Sequence, residues 1–272
     1  MNKETIVGII ADRLKHDSDV LRADFNQRSS VNTRYVIVDD LLPDKIGTQI
    51  YNAFPDNSQM RLMESFREKK YTSKSLDKMD PIIAAVTFAF QAPDVLRQVE
   101  IITGFRGLEA DPRLYAGGIS AMANGHYLNP HIDNSHDSDR KLYRALNLLY
   151  YTTPGWSAED GAAFELWDPE LKQRVEIPSK FNRLLIMETN RTSWHSVSPV
   201  KADGRRCCVS NYYFSAASPE GTDYFNVTEF QGRPEQPIRR MVSGADRMLR
   251  TFVRKIIKEG VVKEDVYKGG RP

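Results

Sequence analysis

The stretch Trp194-His195-Ser196-Val197-Ser198-Pro199-Val200, followed by Gly204-Arg205-Arg206-Cys207-Cys208-Val209-Ser210-Asn211-Tyr212-Tyr213-Phe214, decides the fold. Both halves read as strands. The tract Asn190-Arg191-Thr192-Ser193 is a turn signal that places His195 at a strand's start. Along residues 205–214, Arg206, Cys208, Ser210 and Tyr212 share one face, while Arg205, Cys207, Val209 and Asn211 share the other. A cation on an apolar strand is costly unless an anion meets it. That leaves two readings of the arginine pair: an internal Asp or Glu partner, or the carboxylate of a ligand.

Outward from this stretch the texture is uniform back to Asp111. Short apolar runs recur at Ile119–Met122, Ala145–Tyr151, Ala162–Trp167, Arg174–Ile177 and Arg183–Met187, broken by Gly, Pro, Asn and Asp. Short strands with regular turn signals predict a sandwich or barrel of the jelly-roll type. Upstream the pattern is helical. Ile6, Ile9, Ile10 and Leu14 form an amphipathic stripe, and Asn26–Asn32 is a polar linker. Tyr35–Val38 reads as a strand, and Ile46, Ile50, Tyr51 and Phe54 as a helix. Residues 59–103 read as mostly helical, with Pro81 in a first turn and Ile82–Phe90 as a buried helix. The expected class is α+β: a double-stranded β-helix core, jelly-roll or cupin-like, with flanking N-terminal helices and a C-terminal helix. The expected divisions are an N-terminal helical extension (1–33), the jelly-roll domain with helical support (34–215) and a C-terminal extension (216–272).

At 272 residues the chain can bury a sizeable core. With 40% hydrophobic and 27% charged residues it has ordinary globular composition, and a formal charge of +2 makes no case for nucleic acid. The two cysteines are adjacent, so they point to opposite faces of a strand and are not expected to form a disulfide. No charged-then-apolar leader opens the sequence, and no apolar run approaches the roughly 20 residues needed to span a bilayer. A cytoplasmic setting is expected.

His195 gains its meaning from His131-Ile132-Asp133, 64 residues earlier. An H-x-D tripeptide alone is weak, arising by chance in roughly one such sequence in three. On a strand, however, residues i and i+2 share a face, so His131 and Asp133 can aim at one point. Two imidazoles and a carboxylate can occupy one face of iron(II) and leave the other positions open. His16 reads as solvated; His126 and His136 flank the pair and are alternative third ligands.

These motifs resemble the iron(II)- and 2-oxoglutarate-dependent dioxygenases, in particular their prolyl-4-hydroxylase-like branch. The resemblance rests on His131-x-Asp133 and on His195-Ser-Val-Ser-Pro199-Val200 with Gly204-Arg205-Arg206. Gly161-Ala-Ala-Phe164-Glu-Leu166-Trp167 resembles the branch's Gly-Gly-x-Leu/Phe strand, and Leu146-Asn147-Leu-Leu-Tyr150-Tyr151 its preceding core strand. Tyr35–Pro43 resembles the strand and helix that open the domain, so the resemblance covers about residues 34–215. It implies His131, Asp133 and His195 as iron ligands and Arg206 on the distal carboxylate of 2-oxoglutarate. The spacer after His195 is a residue longer than usual, which leaves Arg205 as the alternative. It further implies 2-oxoglutarate decarboxylation to succinate with dioxygen as oxidant, and ascorbate as a possible accessory.

Asp133 argues against halogenation, because related halogenases carry a small residue there. Hydroxylation is expected, with desaturation or cyclisation as variants of the same hydrogen abstraction. The expected substrate is a small molecule. A protein side-chain (prolyl-type) hydroxylase and a non-redox cupin-like metal-binding module are the alternatives. Tyr127, Asn147 and Tyr212 are candidate pocket residues, and the polar insert Asn134–Tyr143 a candidate lid or a solvated loop. Trp156 and Trp167 read as packing, and the cysteines as buried and inert. The tail carries eleven Lys/Arg against five Asp/Glu from Arg233 to Pro272, with an apolar stripe from Ala245 to Ile257. That basic amphipathic helix can dock on the barrel, self-associate or lie on an anionic membrane. Docking is the default, and the terminal helices offer a route to a homo-oligomer.

Overall fold

The computed structural model describes residues 1–27, 29–236, 267 and 269. The amphipathic helix expected over 243–260 lies outside the described residues. The N-terminal part holds helices α1 (Lys3–His16) and α2 (Ser18–Phe25), strand β1 (Tyr35–Val38) and helix α3 (Asp44–Asn52). Strands β2 (Arg61–Glu64) and β3 (Glu68–Ser73) follow, then helices α4 (Pro81–Ala89) and α5 (Pro93–Thr103). The remainder is β4 (Leu108–Ala110), β5 (Gly118–Ala123), β6 (Tyr127–Ile132), β7 (Tyr143–Tyr151) and β8 (Phe164–Trp167), then β9 (Arg174–Ile177), β10 (Arg183–Glu188), β11 (His195–Val197), β12 (Arg205–Ser215) and β13 (Glu229–Phe230).

The helix signals lie in the local sequence. Asn2 caps α1 by accepting from the Thr5 N–H. Asp80 caps α4, Pro81 takes its first position, and Ile82 to Ala89 are nearly all buried, as befits a helix apolar on every side. Gly104 ends α5 in the left-handed region at φ 78°.

The strands form one antiparallel sheet in the order β1-β10-β7-β12-β5-β3-β6-β11-β8-β9, curled into a jelly-roll half-barrel. Alternation along it sends side chains to two cores. Leu146, Leu148 and Tyr150 of β7, Leu184 and Ile186 of β10, and Cys207 and Val209 of β12 face the helical layer. There they join Ile6, Ile10 and Leu14 of α1 with Ile83, Val86, Val95 and Val99 of α4 and α5. Leu149, Tyr151, Leu185, Met187 and Cys208 turn inward with Trp156, Phe164 and Val197. Cys207 and Cys208 therefore sit on opposite faces, both buried and free.

The expectation of helix fails over residues 61–73. Residues 61–64 and 68–73 form a β-hairpin, not helix. Its second strand is polar, Glu-Lys-Lys-Tyr-Thr-Ser, and no side chain on it is fully buried. It is a strand because its backbone completes the sheet between β5 and β6, with Tyr71 opposite Ala121 and Glu68 opposite Leu128. That cause is non-local and leaves no periodic trace. The Gly161-Ala162 pair also precedes β8 rather than lying on it, with φ of 75° and 54°. No helix among the described residues is long and apolar enough to cross a membrane.

Candidate metal centre

Antiparallel pairing builds the site. His131 near the end of β6 lies opposite His195 at the start of β11, and the imidazole centroids are 4.1 Å apart. Asp133 follows one residue beyond β6 and turns back to both rings. Its Oδ1 lies 3.7 Å from His131 Nε2 and its Oδ2 3.7 Å from His195 Nε2. Among the described residues, these three alone bring His, Cys, Asp or Glu ligand atoms together, all within 4.8 Å of one another. His126 instead packs at a tilt against Tyr71, and His136 pairs its Nδ1 with the Ser135 hydroxyl. His16 is solvated.

The backbone fixes both imidazoles in the same tautomer. His131 Nδ1 lies 3.0 Å from the Asn129 carbonyl, and His195 Nδ1 2.9 Å from that of Ser193. A carbonyl only accepts, so each Nδ1 carries the proton and each Nε2 lone pair faces Asp133. The side chains of His131, Asp133 and His195 are 7%, 11% and 2% exposed. Burial, and then the neighbouring His195, lowers the pKa of His131 to about 3, and burial lowers that of His195. Burial pushes the Asp133 carboxyl up, but Arg144 and the two imidazoles outweigh it and hold it below the usual range. The donor set is thus two neutral nitrogens and one carboxylate. Among the described residues no donor makes a well-aligned hydrogen bond to Asp133 Oδ2, although Arg144 Nη1 lies 3.2 Å away. Convergent lone pairs and a buried carboxylate whose Oδ2 is ion-paired yet free of any well-aligned hydrogen bond from the described residues fit a divalent ion of the iron(II) type.

The two arginines of Gly-Arg-Arg go separate ways. Arg205 points away from the barrel and donates to the carbonyls of Phe54 and Pro55, just past α3. Arg206 points inward and is 3% exposed. Its Nε donates to Ser179 Oγ at 3.1 Å, and its guanidinium lies 4.7 Å from the centre of the Tyr151 ring. No carboxylate pairs with it among the described residues, and the buried Tyr151 hydroxyl beside it makes no hydrogen bond of acceptable geometry. A buried guanidinium and an unsatisfied phenol suit a ligand carboxylate.

Asn147 and Tyr212 face each other across β7 and β12, joined by Asn147 Nδ2 donating to Tyr212 Oη at 3.2 Å. Tyr212 borders Asp133, and burial with that carboxylate raises its pKa. Tyr127 is elsewhere: its hydroxyl donates to the Ser65 carbonyl at the β2–β3 turn. Sequence reasoning missed Arg144, Tyr151 and Ser179. Arg144 is buried over the Tyr212 ring at 4.2 Å, donates to Asn134 Oδ1, and leaves its Nε unpaired. The available signal was an arginine at the junction of a polar insert and a core strand.

Residues 117–214 match the model of the 2OG-Fe(II) oxygenase superfamily. No curated protein matches the chain. Among solved structures, a prolyl-4-hydroxylase from Pseudomonas putida superposes with a TM-score of 0.54 at 12% identity, covering 72% of this chain and 98% of that one. A prolyl 4-hydroxylase from Phytophthora capsici gives 0.54 at 18% identity, covering 93% and 80%. The non-heme alpha ketoglutarate dependent epimerase SnoN from nogalamycin biosynthesis gives 0.52 at 14% identity, covering 76% and 88%. Those likenesses speak for the fold, and the family match for the chemistry. Residues 117–214 therefore match the 2OG-Fe(II) oxygenase superfamily, set in a chain whose fold is similar to that of prolyl 4-hydroxylases.

Proposed function

We propose that the enzyme oxidises an unactivated C–H bond of a small polar molecule, with hydroxylation as the outcome, within a catalytic domain spanning 34–215. The observation that carries this reading is the confinement of the site: the three converging side chains are at most 11% exposed. In this reading His131, Asp133 and His195 hold iron(II). Arg206, with Tyr151 and Ser179, receives the distal carboxylate of 2-oxoglutarate. When bound, iron and 2-oxoglutarate supply the oxidising equivalent from dioxygen, with release of succinate and carbon dioxide.

The chain's own residues do the positioning. The Asn129 and Ser193 carbonyls keep both Nε2 atoms unprotonated and aimed inward. Arg144 sits against the nearly buried Asp133 and favours its ionised form. The unpaired Arg144 Nε and the buried, unpaired Asn147 Oδ1 offer a donor and an acceptor to a substrate. Both are expensive to leave unsatisfied, which favours a polar partner.

A peptidyl substrate is the second reading, supported by the fold shared with prolyl hydroxylases. It requires an open groove at the mouth. The test adds iron(II) and 2-oxoglutarate without oxygen, then oxygen with panels of polar metabolites and of peptides. A visible charge-transfer band and metabolite-stimulated succinate are expected. Stimulation by peptides alone would overturn the small-molecule assignment. His131→Ala and His195→Ala are each expected to lose the band, and a fully active variant would remove that residue from the ligand set.

A further inference from the structure

Past the family-matched region, the chain runs back along the strand that carries His131. The Ser135 N–H donates to the Asn226 carbonyl at 3.1 Å, and the Asn226 N–H to Ser135 Oγ at 3.0 Å. Asn226 Nδ2 donates to the Asp133 carbonyl at 2.8 Å. β13 then pairs with β6, placing Glu229 opposite Ile132 and Phe230 opposite His131. The Gln231 N–H donates to the Pro130 carbonyl at 2.8 Å. The H-x-D segment is thus zipped to the strap from residue 130 to 135. Phe230 lays its ring on the His131 imidazole, with centroids 5.0 Å apart and planes at 15°.

A two-residue strand does not hold itself. Arg233 fastens it. This buried guanidinium donates to Glu165 Oε1 at 2.9 Å, lies 2.6 Å from Oε2, and donates to the Val197 carbonyl at 3.0 Å. Glu165, buried on β8, also accepts from the Ser196 hydroxyl, which in turn accepts from Trp167 Nε1. Val197 and Ser196 lie on β11, two residues and one residue beyond His195. Buried ion pairs contribute little net stability compared with apolar packing. Their use is to fix geometry, and here the geometry links the strap to both histidine-bearing strands.

We propose that residues 224–236 are an integral wall of the metal centre, in which Phe230 is a positioning residue for His131 and the Arg233–Glu165 pair is the lock that seats it. The proposal rests on the reading of His131 as a metal ligand. In metal-free protein, Arg233→Met is expected to speed hydrogen exchange at the Asn226 and Gln231 amides about tenfold while the β7 and β12 amides keep their protection. Phe230→Ala is expected to raise the dissociation constant for Co(II), read from its visible absorption, about fivefold. Arg233→Met moves that constant in the same direction, and Arg233→Lys, which keeps the charge, recovers part of it. Unchanged exchange at residues 226 and 231, or protection lost throughout the chain, overturns the lock; Arg233→Lys puts the same question in a milder variant. Wild-type Co(II) affinity in Phe230→Ala overturns the positioning role. A wild-type protein that binds no Co(II) sinks the metal reading instead, while the exchange data still decide the lock.

Discussion

Arg205 and Arg206 are neighbours in sequence, yet one residue of strand alternation gives them opposite environments. Arg206 is buried without a carboxylate, a costly arrangement that a bound anion relieves. Arg206→Met is therefore expected to raise the KM for 2-oxoglutarate roughly 30-fold or more, about 2 kcal/mol, without lowering the melting temperature of the ligand-free protein. Arg205→Met has the reverse signature. It loses the hydrogen bonds to the Phe54 and Pro55 carbonyls, costs about 1–2 kcal/mol of stability, and leaves the KM alone. Measuring both parameters on both variants assigns the anion site, and a KM effect in the Arg205 variant alone would reverse the assignment. The same alternation governs the cysteines. Burial pushes the Cys207 thiol up to about 11 and raises that of Cys208, so both stay protonated at pH 8. An aromatic disulfide reagent is expected to titrate no thiol in the native protein and two in denaturant. The face assignment along 205–214 was legible from the period of two. Arg144 was not, because its burial depends on where Asp133 and Tyr212 arrive from other strands.

At the scale of the element, the turn before β8 shows how a motif read as a strand works as a corner. Gly161 has φ of 75°, and a Cβ built on it would lie 2.3 Å from the Pro199 carbonyl oxygen. The strain and the backbone clash have one origin: the turn passes directly against the end of the segment that carries His195, with the Ala162 N–H donating to Pro199 O. Gly161→Ala is expected to cost ~1–3 kcal/mol and lower the thermal midpoint, with greater loss of metal affinity than its distance from the ligands suggests. Chemical denaturation with and without Co(II) measures both, and a neutral substitution would refute the corner role. Elements with their own periodicity, such as α1, α4, β7 and β12, were readable from the chain. The β2–β3 hairpin and β13 were not, because these short strands, without an apolar period of their own, exist through their pairing partners.

Over the whole molecule, the helical layer and the jelly roll share one core. Ile6, Ile10 and Leu14 of α1 are fully buried, in the same cluster as Leu146, Leu148 and Tyr150 of β7 and Val209 of β12. Those β-strand residues alternate with inward side chains that line the barrel, so the helices brace the back of the sheet whose front holds Arg206 and Tyr151. The stripe in residues 6–14 was visible in the sequence, but its partner was not, since periodicity reveals a buried face and not what buries it. The packing makes a prediction about cooperativity. Ile10→Ala removes a fully buried side chain and is expected to cost ~2–5 kcal/mol. All three tryptophans, Trp156, Trp167 and Trp194, lie in the jelly-roll region and none in the N-terminal helices. Their fluorescence therefore reports on the barrel alone, while far-ultraviolet circular dichroism also senses the helices. A shared core requires both signals to shift together to the same lower midpoint when Ile10 is truncated. If the helices formed a separately folding appendage, the fluorescence midpoint would stay at its wild-type value while the helical signal melted early.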